Sequence, residues 1–300
     1  MKKILNILVY LVIITLVIFT FEPVTNRLAN LLIHQPNVVI LPPNPYHRDA
    51  DFRFIQQTDH FVPYSMQDLK NIFYTVLNHG WDRFTFYCPR EYIHCRRDIE
   101  TINNSEVLSH INNFVAPFNG FRTITVFHSA AGEVTIEIDW LYSQEMINTL
   151  NARIDEIIRN TITDEMDIRD KILAIHDYII HQTIYDIHHE TSEFSSNTAY
   201  GSLIQGRAIC SGYTDAMALF LNRFNIPNFK VASHDHVWNA VYIDGEWLHL
   251  DLTWNDPVDE NDIYNQSIRH TFFLITTETL KEFEILNHDF NPLIYQEVAL

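Results

Sequence analysis

The chain has 300 residues, 47% of them hydrophobic and 19% charged, which is enough apolar material for folded cores and too much for a disordered chain. Asp and Glu number 38 against 20 Lys and Arg, and the resulting formal charge of −18 argues against binding to nucleic-acid phosphates. The seven glycines and eleven prolines exclude a collagen-like or linker-dominated protein, and three cysteines are too few for a disulfide-rich scaffold.

The first residues show a pattern typical of a membrane anchor. Lys2 and Lys3 precede an apolar run over residues 4–21 whose one strongly polar member is Asn6. As a helix, this run would be about 27 Å long, close to the roughly 30 Å hydrocarbon core of a bilayer. Because both lysines lie before the run, the positive-inside bias places the rest of the chain outside the cytoplasm. We therefore predict a single-pass transmembrane signal anchor over residues 1–21 of a cell-membrane protein.

Two other interpretations of the apolar run stay open. A cleaved signal peptide would leave a secreted protein, although no small-x-small cleavage pattern follows Phe21. A buried core helix would be expected to show an amphipathic pattern, which this run lacks.

The next segment, residues 22–50, carries five of the eleven prolines. Proline fixes φ and removes a backbone donor, so we predict a semi-extended stalk that holds the folded part off the membrane.

Residues 51–145 are predicted to form a small α+β domain of unknown role. Ser65 is placed to cap a helix that Gly80 ends. Helical spacing and alternation then predict a strand over 81–88, a helix around 106–114 and two strands over 121–127 and 134–140.

Two of the cysteines, Cys88 and Cys95, lie close together in this segment. Outside the cytoplasm we expect them to form a disulfide, and closing so short a loop contributes about 2–3 kcal/mol on the chain-entropy model. Two independent thiols are the alternative. A zinc site would need two further ligands, and the spacing of the sequence supplies none.

The third cysteine, Cys210, lies in the most informative part of the chain. Isoleucines at helical spacing predict a helix within residues 164–185, and Gly201, Gly206 and Gly212 then bracket Cys210. Apolar residues at helical spacing beyond Cys210 place it at or just before a helix N-terminus. The dipole and unpaired N–H groups at such a position stabilise a thiolate and an oxyanion.

A hairpin with a readable register follows this helix. Two alternating runs within residues 236–254 flank an Asp-Gly pair at 244–245, which predicts a two-residue turn. In that register His236 lies opposite Thr253. His236 and Asp251 are then diagonal neighbours on one face, with Cα atoms roughly 7–8 Å apart. An aspartate at that distance can hold an imidazole.

A thiol at a helix start, a histidine and an orienting carboxylate form the arrangement used in acyl transfer. In such a site His236 takes the proton of the Cys210 thiol and later protonates the leaving amine. Asp251 fixes the tautomer of the imidazole and stabilises the imidazolium. Any one of these residues alone would be read as structural, and their joint occurrence favours a catalytic site.

The motifs resemble the transglutaminase-like superfamily, over about residues 164–283. The matching segments occur in the family's order and are Ala199 to Tyr213 around the cysteine, His236 to Asn239, and Leu250 to Asp256. The resemblance implies an α+β fold over residues 146–300, with a papain-like core in which a cysteine at a helix start packs on an antiparallel sheet. It also implies Cys210 as nucleophile, His236 as base and Asp251 as orienting residue.

One departure from the family pattern bears on the reaction. Animal transglutaminases often carry Trp beside the nucleophile, where this chain has Ile209. The resemblance to the bacterial, protease-like branch therefore implies a cysteine hydrolase of peptide or side-chain amides, acting through a thioester. A cross-linking protein-glutamine acyltransferase and a non-catalytic surface binding module are the alternatives. Gln205 and Tyr200 are the candidate oxyanion donors.

Partners follow from the same interpretation. We expect a protein or peptide substrate, a cell-wall peptide among the options, contact with the membrane through the N-terminal helix, no nucleic acid and no cofactor. An amine acceptor would need aromatic walls. The hairpin register places Trp238 and Trp247 on the face of His236, and Trp254 on the other face.

A metal site is the rival interpretation of the same region. His234 and His236 form a His-x-His pair with Asp251 downstream, but the spacing places no further ligand. An acidic run at Asp256, Asp259, Glu260 and Asp262 lacks the glycine and the final glutamate of a calcium loop. A solvated loop is the better interpretation of that run.

Overall fold

The structure is a computed structural model that describes residues 10–15, 38–129, 132–256 and 268–299. Within these residues the helices are α1 Met66–His79, α2 Cys95–Ile102, α3 Ser105–Asn112, α4 Gln144–Thr161, α5 Ile168–Gln182, α6 Cys210–Arg223, α7 Leu252–Asn255, α8 Thr277–Glu282 and α9 Gln296–Ala299. The strands are β1 Arg83–Tyr87, β2 Phe121–His128, β3 Glu133–Trp140, β4 Ile184–Tyr185, β5 Arg207–Ala208, β6 Asn228–Ala232, β7 Val237–Ile243, β8 Glu246–Leu250 and β9 Phe273–Ile275. The predicted α+β class is confirmed.

Most of the predicted anchor, residues 1–21, falls outside the described residues; of it the structure describes a helical turn over residues 10–15. Within the described part of the chain, no helix is both long enough and apolar enough to span a bilayer.

The predicted stalk is wrong for its described part, residues 38–50. Asn44 N donates to His79 O at 2.9 Å, and Trp81 Nε1 donates to Pro42 O at 3.3 Å. The Arg48 guanidinium donates to Asn228 O at 2.6 Å. Hydrogen bonds therefore hold this segment against the folded protein.

The elements of residues 51–145 follow the sequence closely. Ser65 Oγ accepts from Asp68 N at 3.1 Å and caps α1, which ends at Gly80 with φ of 68°. The strands form an antiparallel sheet in the order β1-β3-β2. The helix α2 was not predicted. It begins at Cys95, which forms the predicted disulfide with Cys88, while Cys210 is a free thiol.

The second sheet has the order β6-β7-β8-β9 and is antiparallel throughout. Its β7–β8 hairpin has the predicted register, since Ile243 pairs with Glu246 and Asn239 pairs with Leu250. The predicted strand to Trp254 is wrong, because β8 ends at Leu250 and residues 252–255 form α7. His236 therefore does not pair with Thr253.

The β6–β9 sheet is covered on both faces. Val241, Leu248 and Leu250 belong to a buried cluster that also contains apolar residues of α6. On the opposite face, Phe229 stacks on Phe114, with ring centroids 5.2 Å apart. Residues 51–145 and the sheet thus share a hydrophobic core.

Candidate active site

Helix α6 begins at Cys210, as predicted from the glycine-bracketed sequence. The close approach of this turn to the preceding loop explains the glycine at Gly212. A Cβ there would lie 2.5 Å from Ser196 O and 2.9 Å from Thr198 O, so a larger residue would push the helix start away. The first N–H groups of a helix lack the regular intrahelical partner, and in α6 the Gly212 N–H donates to Ile209 O at 2.9 Å instead.

Two polar contacts fix α6 on strand β7, next to His236. The Thr214 hydroxyl lies 2.8 Å from Cys210 O and 3.0 Å from Val237 O. Asn239 Nδ2 donates to Thr214 O at 3.1 Å. These contacts join the first turn of the helix to the strand that follows His236, so the thiol and the imidazole are held by directly connected backbone.

The structure brings together the three predicted site residues. His236 Nε2 donates to Asp251 Oδ2 at 2.6 Å, and the Cys210 thiol is also a hydrogen-bond partner of His236. His236 and Asp251 are both buried, whereas Cys210 is partly exposed. A reagent or substrate can therefore reach the sulfur while the ion pair behind it stays shielded from water.

The electrostatics favour a charged His236–Asp251 pair. Burial by itself lowers the pKa of His236, but the Asp251 carboxylate, together with the hydrogen bond to Cys210, raises it to about 10. Burial by itself raises the pKa of Asp251, but His236 and a second histidine, His288, lower it to about 2. The direction of both shifts is that of an imidazolium stabilised by a carboxylate.

Asp251 has two further hydrogen-bond donors. His288 Nε2 donates to Asp251 Oδ2 at 2.8 Å, so this oxygen accepts from both histidines. Asp251 Oδ1 accepts from Trp254 N at 3.1 Å and caps α7. Asp251, whose carboxylate contacts His236, is thus also the residue that follows the hairpin and caps the short helix α7.

Trp238 and Trp247 share one face of the sheet, as predicted, whereas Trp254 differs because α7 replaces the end of the strand. Trp238 stacks on His236 with ring centroids 5.6 Å apart, but it is buried and donates through Nε1 to His249 Nδ1 at 2.9 Å. Trp247 packs against Phe229 at 4.8 Å. Trp254 was predicted on the other face, yet its ring centroid lies 6.5 Å from that of His236.

The sequence comparisons address this segment directly. Residues 155–252, which include all three site residues, match a family model described as the transglutaminase-like superfamily. This stretch is similar to the core of that superfamily. The resemblance inferred from the motifs is therefore confirmed for it. No curated protein matches the chain.

Two solved structures align with about half of the chain. "Crystal structure of a TGase" has 15% sequence identity and a TM-score of 0.35, over 49% of this chain and 47% of its own. A "Putative Cysteine Protease from Cytophaga hutchinsonii" has 14% identity and a TM-score of 0.28, over 43% of this chain and 61% of its own. This chain thus spans less than two thirds of either protein.

The predicted oxyanion donors of the transglutaminase-like core differ in their contacts. Gln205 ends a π-helical turn, and its Oε1 accepts from Ser195 N at 2.7 Å, so the amide is bound to the preceding loop. Tyr200, just before that turn, is partly buried. Tyr185 was not predicted; burial raises the pKa of its hydroxyl, and the nearby Cys210 and Asp251 raise it further.

The candidate metal ligands in the structure differ from the predicted ones. His234 is exposed, and His288 is the third residue grouped with His236 and Asp251. Their ligand atoms lie within 4.8 Å of one another, which would suit a metal ion. However, both histidines already donate to the same oxygen of Asp251. A metal there would replace these bonds.

A second group with metal-ligand spacing is His176, Asp177 and His270. Asn255 Nδ2 donates to His176 Nε2 at 2.9 Å, so the proton of this imidazole is on Nδ1, which donates to Asp177 at 2.7 Å. The nitrogen nearest the carboxylate is therefore a donor and not a free ligand. Asn255 Oδ1 also accepts from Phe272 N, which opposes the amide flip that metal binding would require.

Of the acidic run considered as a calcium loop, the described residue is Asp256, since residues 257–267 lie outside the described part. Burial raises the pKa of Asp256 to about 6, opposed by a hydrogen bond from the Tyr213 hydroxyl at 2.5 Å. This carboxylate therefore already has a buried partner.

A cavity of about 960 Å³ lies on another part of the surface, between residues 45–52 and the loop 225–228. None of Cys210, His236 and Asp251 lines it. We place the candidate site at Cys210, His236 and Asp251, because the reactive groups, and not the size of a cavity, determine the chemistry.

Sequence reasoning missed His288, which lies at the end of a 3-10 turn, Leu286–His288. This turn has no periodic pattern, and its distance from the hairpin along the chain gives no register. A buried histidine would be the signal, but burial at this position depends on the fold.

Proposed function

We propose that this protein is a cysteine hydrolase of the transglutaminase-like type, acting on peptide or side-chain amides. The observation that carries the proposal is the buried His236–Asp251 hydrogen bond of 2.6 Å beside Cys210, which lies at the N-terminus of a helix. In it Cys210 is the nucleophile, His236 the general base and acid, and Asp251 the group that orients the imidazole.

The mechanism follows from these positions. His236 takes the proton of Cys210, and the thiolate sulfur bonds to the amide carbon while the carbonyl electrons move to oxygen. N–H groups at the start of α6 stabilise this oxyanion. Collapse of the intermediate breaks the carbon–nitrogen bond, and the imidazolium protonates the leaving amine. Water, deprotonated by His236, then attacks the thioester and releases the acid and the thiol.

Hydrolysis is favoured over transfer by the residue next to the nucleophile. Ile209 replaces the tryptophan common next to the nucleophile in animal transglutaminases. Trp238 is buried, and Trp247, which is partly buried, packs against Phe229. Trp254, which is partly exposed, can line an acyl site. Acyl transfer to an amine is the second candidate, and Trp254 near His236 is the observation that favours it.

A partition experiment distinguishes hydrolysis from acyl transfer. The full chain is incubated with a reactive peptide amide and excess primary amine, and the products are counted by mass spectrometry, with Cys210→Ala as the control. We expect mostly free acid, and no turnover by Cys210→Ala. Predominant amine adduct would overturn the choice of hydrolysis but leave the triad intact. A wild-type rate equal to that of Cys210→Ala would favour the non-catalytic binding module.

We further propose that the folded part lies outside the cytoplasm, anchored by the N-terminal apolar run, with a protein or cell-wall peptide as substrate. The Cys88–Cys95 disulfide supports this location, because disulfides persist in oxidising compartments. Protease added to intact cells should degrade the folded part while the N-terminal segment stays with the membrane. Full protection of the folded part until the cells are lysed would contradict the proposal.

A further inference from the structure

Asp251 is held by more donors than a triad carboxylate needs. Its Oδ2 accepts from His236 at 2.6 Å and from His288 at 2.8 Å, and its Oδ1 accepts from Trp254 N at 3.1 Å. A carboxylate oxygen has two lone pairs, so the two histidines complete the hydrogen bonding of Oδ2. Groups other than Cys210 and His236 therefore also determine the orientation of the Asp251 carboxylate.

The second histidine is buried among rings. The His288 ring centroid lies 4.9 Å from that of Phe272, 5.1 Å from Trp238 and 5.2 Å from Trp254. A phenylalanine would fill such an aromatic site without burying polar atoms. An imidazole there carries a desolvation cost that its packing does not explain.

The hydrogen bonding of His288 points to a single role. Because a carboxylate can only accept, His288 Nε2 carries the proton. The other ring nitrogen, Nδ1, is buried and has no partner among the described residues. Leaving such an atom unpaired is unfavourable. Among the described residues, the His288 side chain therefore has one hydrogen bond, to Asp251.

The groups around His288 leave this bond undisturbed. His249, a buried neighbour, is neutral, because burial and the nearby His288 lower its pKa to about 3. It accepts from Trp238 Nε1 at 2.9 Å and bonds to Thr277 at 2.9 Å. It therefore does not compete for the Asp251 carboxylate.

We propose that His288 is a positioning residue that holds the Asp251 carboxylate in the plane required by His236, an inference that rests on the proposed triad. With Trp254 N on one oxygen and His288 on the other, the carboxylate cannot rotate away from the imidazole. His236 in turn keeps the orientation in which it stabilises the Cys210 thiolate. His288 thus acts through Asp251 and does not touch the substrate.

The test measures the thiolate without any substrate. The rate of Cys210 alkylation by iodoacetamide is followed from pH 4 to 9 in the full chain and in three variants. His288→Gln keeps a donor near the position of Nε2, whereas His288→Phe and His288→Leu remove it. Two donor-free variants are used so that misfolding of one, seen in its thermal melt, does not end the experiment. His110→Phe is the control, because His110 bonds to Tyr295 instead.

We expect the donor-free variants to alkylate roughly 10-fold to 100-fold more slowly at pH 6, since misplacing a catalytic group by about 1 Å costs up to that much. A misoriented imidazolium stabilises the thiolate less, so the acid limb of the profile should move to higher pH. His288→Gln should stay within about threefold of the wild type, and His110→Phe should match it. In turnover, kcat should fall while KM stays unchanged.

Two results would overturn the role of His288. One is a donor-free variant that folds and keeps the wild-type alkylation profile. The other is His288→Gln losing as much reactivity as His288→Phe, which would indicate general damage to packing. Failure of the proposed function looks different: the wild-type thiol would then react slowly at acidic pH, or would react quickly with no amide turnover.

Discussion

At the scale of single residues, Asp251 makes three hydrogen bonds, of which the sequence motif predicted the one to His236. It accepts from His236, it accepts from His288, and it caps α7 through Trp254 N. Each bond fixes the carboxylate in a different direction, so the side chain has a single orientation even though it is buried. That burial makes the charge on Asp251 dependent on its partners, and the partners' charge dependent on it.

This dependence predicts a pH window for stability. The pKa of Asp251 is lowered to about 2 on folding, so its contribution is present above the unfolded value near 3.9 and is lost as the pH falls towards 2. The pKa of His236 is raised to about 10, so its contribution is present below about 6.5 and is lost as the pH rises towards 10. The pair should stabilise the fold most between about pH 4 and 6.5.

The measurement is urea unfolding of the wild type and Asp251→Asn at pH 5.5 and pH 9. Breaking a buried ion pair costs about 3–5 kcal/mol, and we expect that loss at pH 5.5 with a clearly smaller one at pH 9. Asp235→Asn, which removes an exposed carboxylate beside His236, should have little effect at either pH. An equal loss from Asp251→Asn at both pH values would show that the pair is not charged in the folded protein.

At the scale of elements, local chemistry explains what could be predicted from the sequence. The Asp-Gly turn set the hairpin register because a two-residue turn leaves one pairing, and the observed pair Ile243–Glu246 confirms it. The cap at Ser65 and the helix start at Cys210 also depend on near neighbours in the chain. Such features need no knowledge of the rest of the fold.

The errors lie where distant contacts decide the structure. After Leu250 the sequence continues to alternate as it would in a strand. The Asp251 side chain instead caps a new helix, α7. The prolines of residues 38–50 predict an extended backbone, and nothing in that pattern says that the backbone lies against the protein. His288 contacts Asp251 from the turn Leu286–His288, whose position depends on the fold of the whole sheet. Tertiary contacts therefore place the residues that support the candidate site, such as His288. Its three central residues, in contrast, could be predicted from the sequence.

At the scale of the whole molecule, residues 51–145 cover the face of the β6–β9 sheet that lies opposite α6. Phe229 of β6 packs against Phe52 at 5.5 Å and against Phe114 at 5.2 Å. Trp238, which stacks on His236, belongs to the same buried cluster. This segment therefore completes the core behind the His236–Asp251 pair, and the candidate site depends on residues that carry no catalytic motif.

Arg48 is the polar counterpart of this shared core. Its guanidinium donates to Asn228 O at 2.6 Å and Asn228 Oδ1 at 3.0 Å, and to Phe114 O at 3.3 Å. Burial lowers its pKa, partly offset by Tyr74 and Asp215, to about 10, so it is charged at neutral pH. One side chain therefore connects residues 38–50, the segment around α3 and the β6–β9 sheet.

Replacing this side chain should loosen all three parts together. Arg48→Met keeps much of the length but leaves the carbonyls of Phe114 and Asn228 without their donor, at about 1–3 kcal/mol for each buried group. We expect a loss of about 3 kcal/mol in urea unfolding and faster proteolysis within residues 38–50. Arg48→Lys should recover part of this loss, because an ammonium keeps the charge but cannot form the planar fork. Arg53→Met, at an exposed position five residues on, is the matched control. If Arg48→Met unfolds like Arg53→Met, residues 38–50 contribute nothing to the fold and the interpretation of this segment as part of the core is wrong.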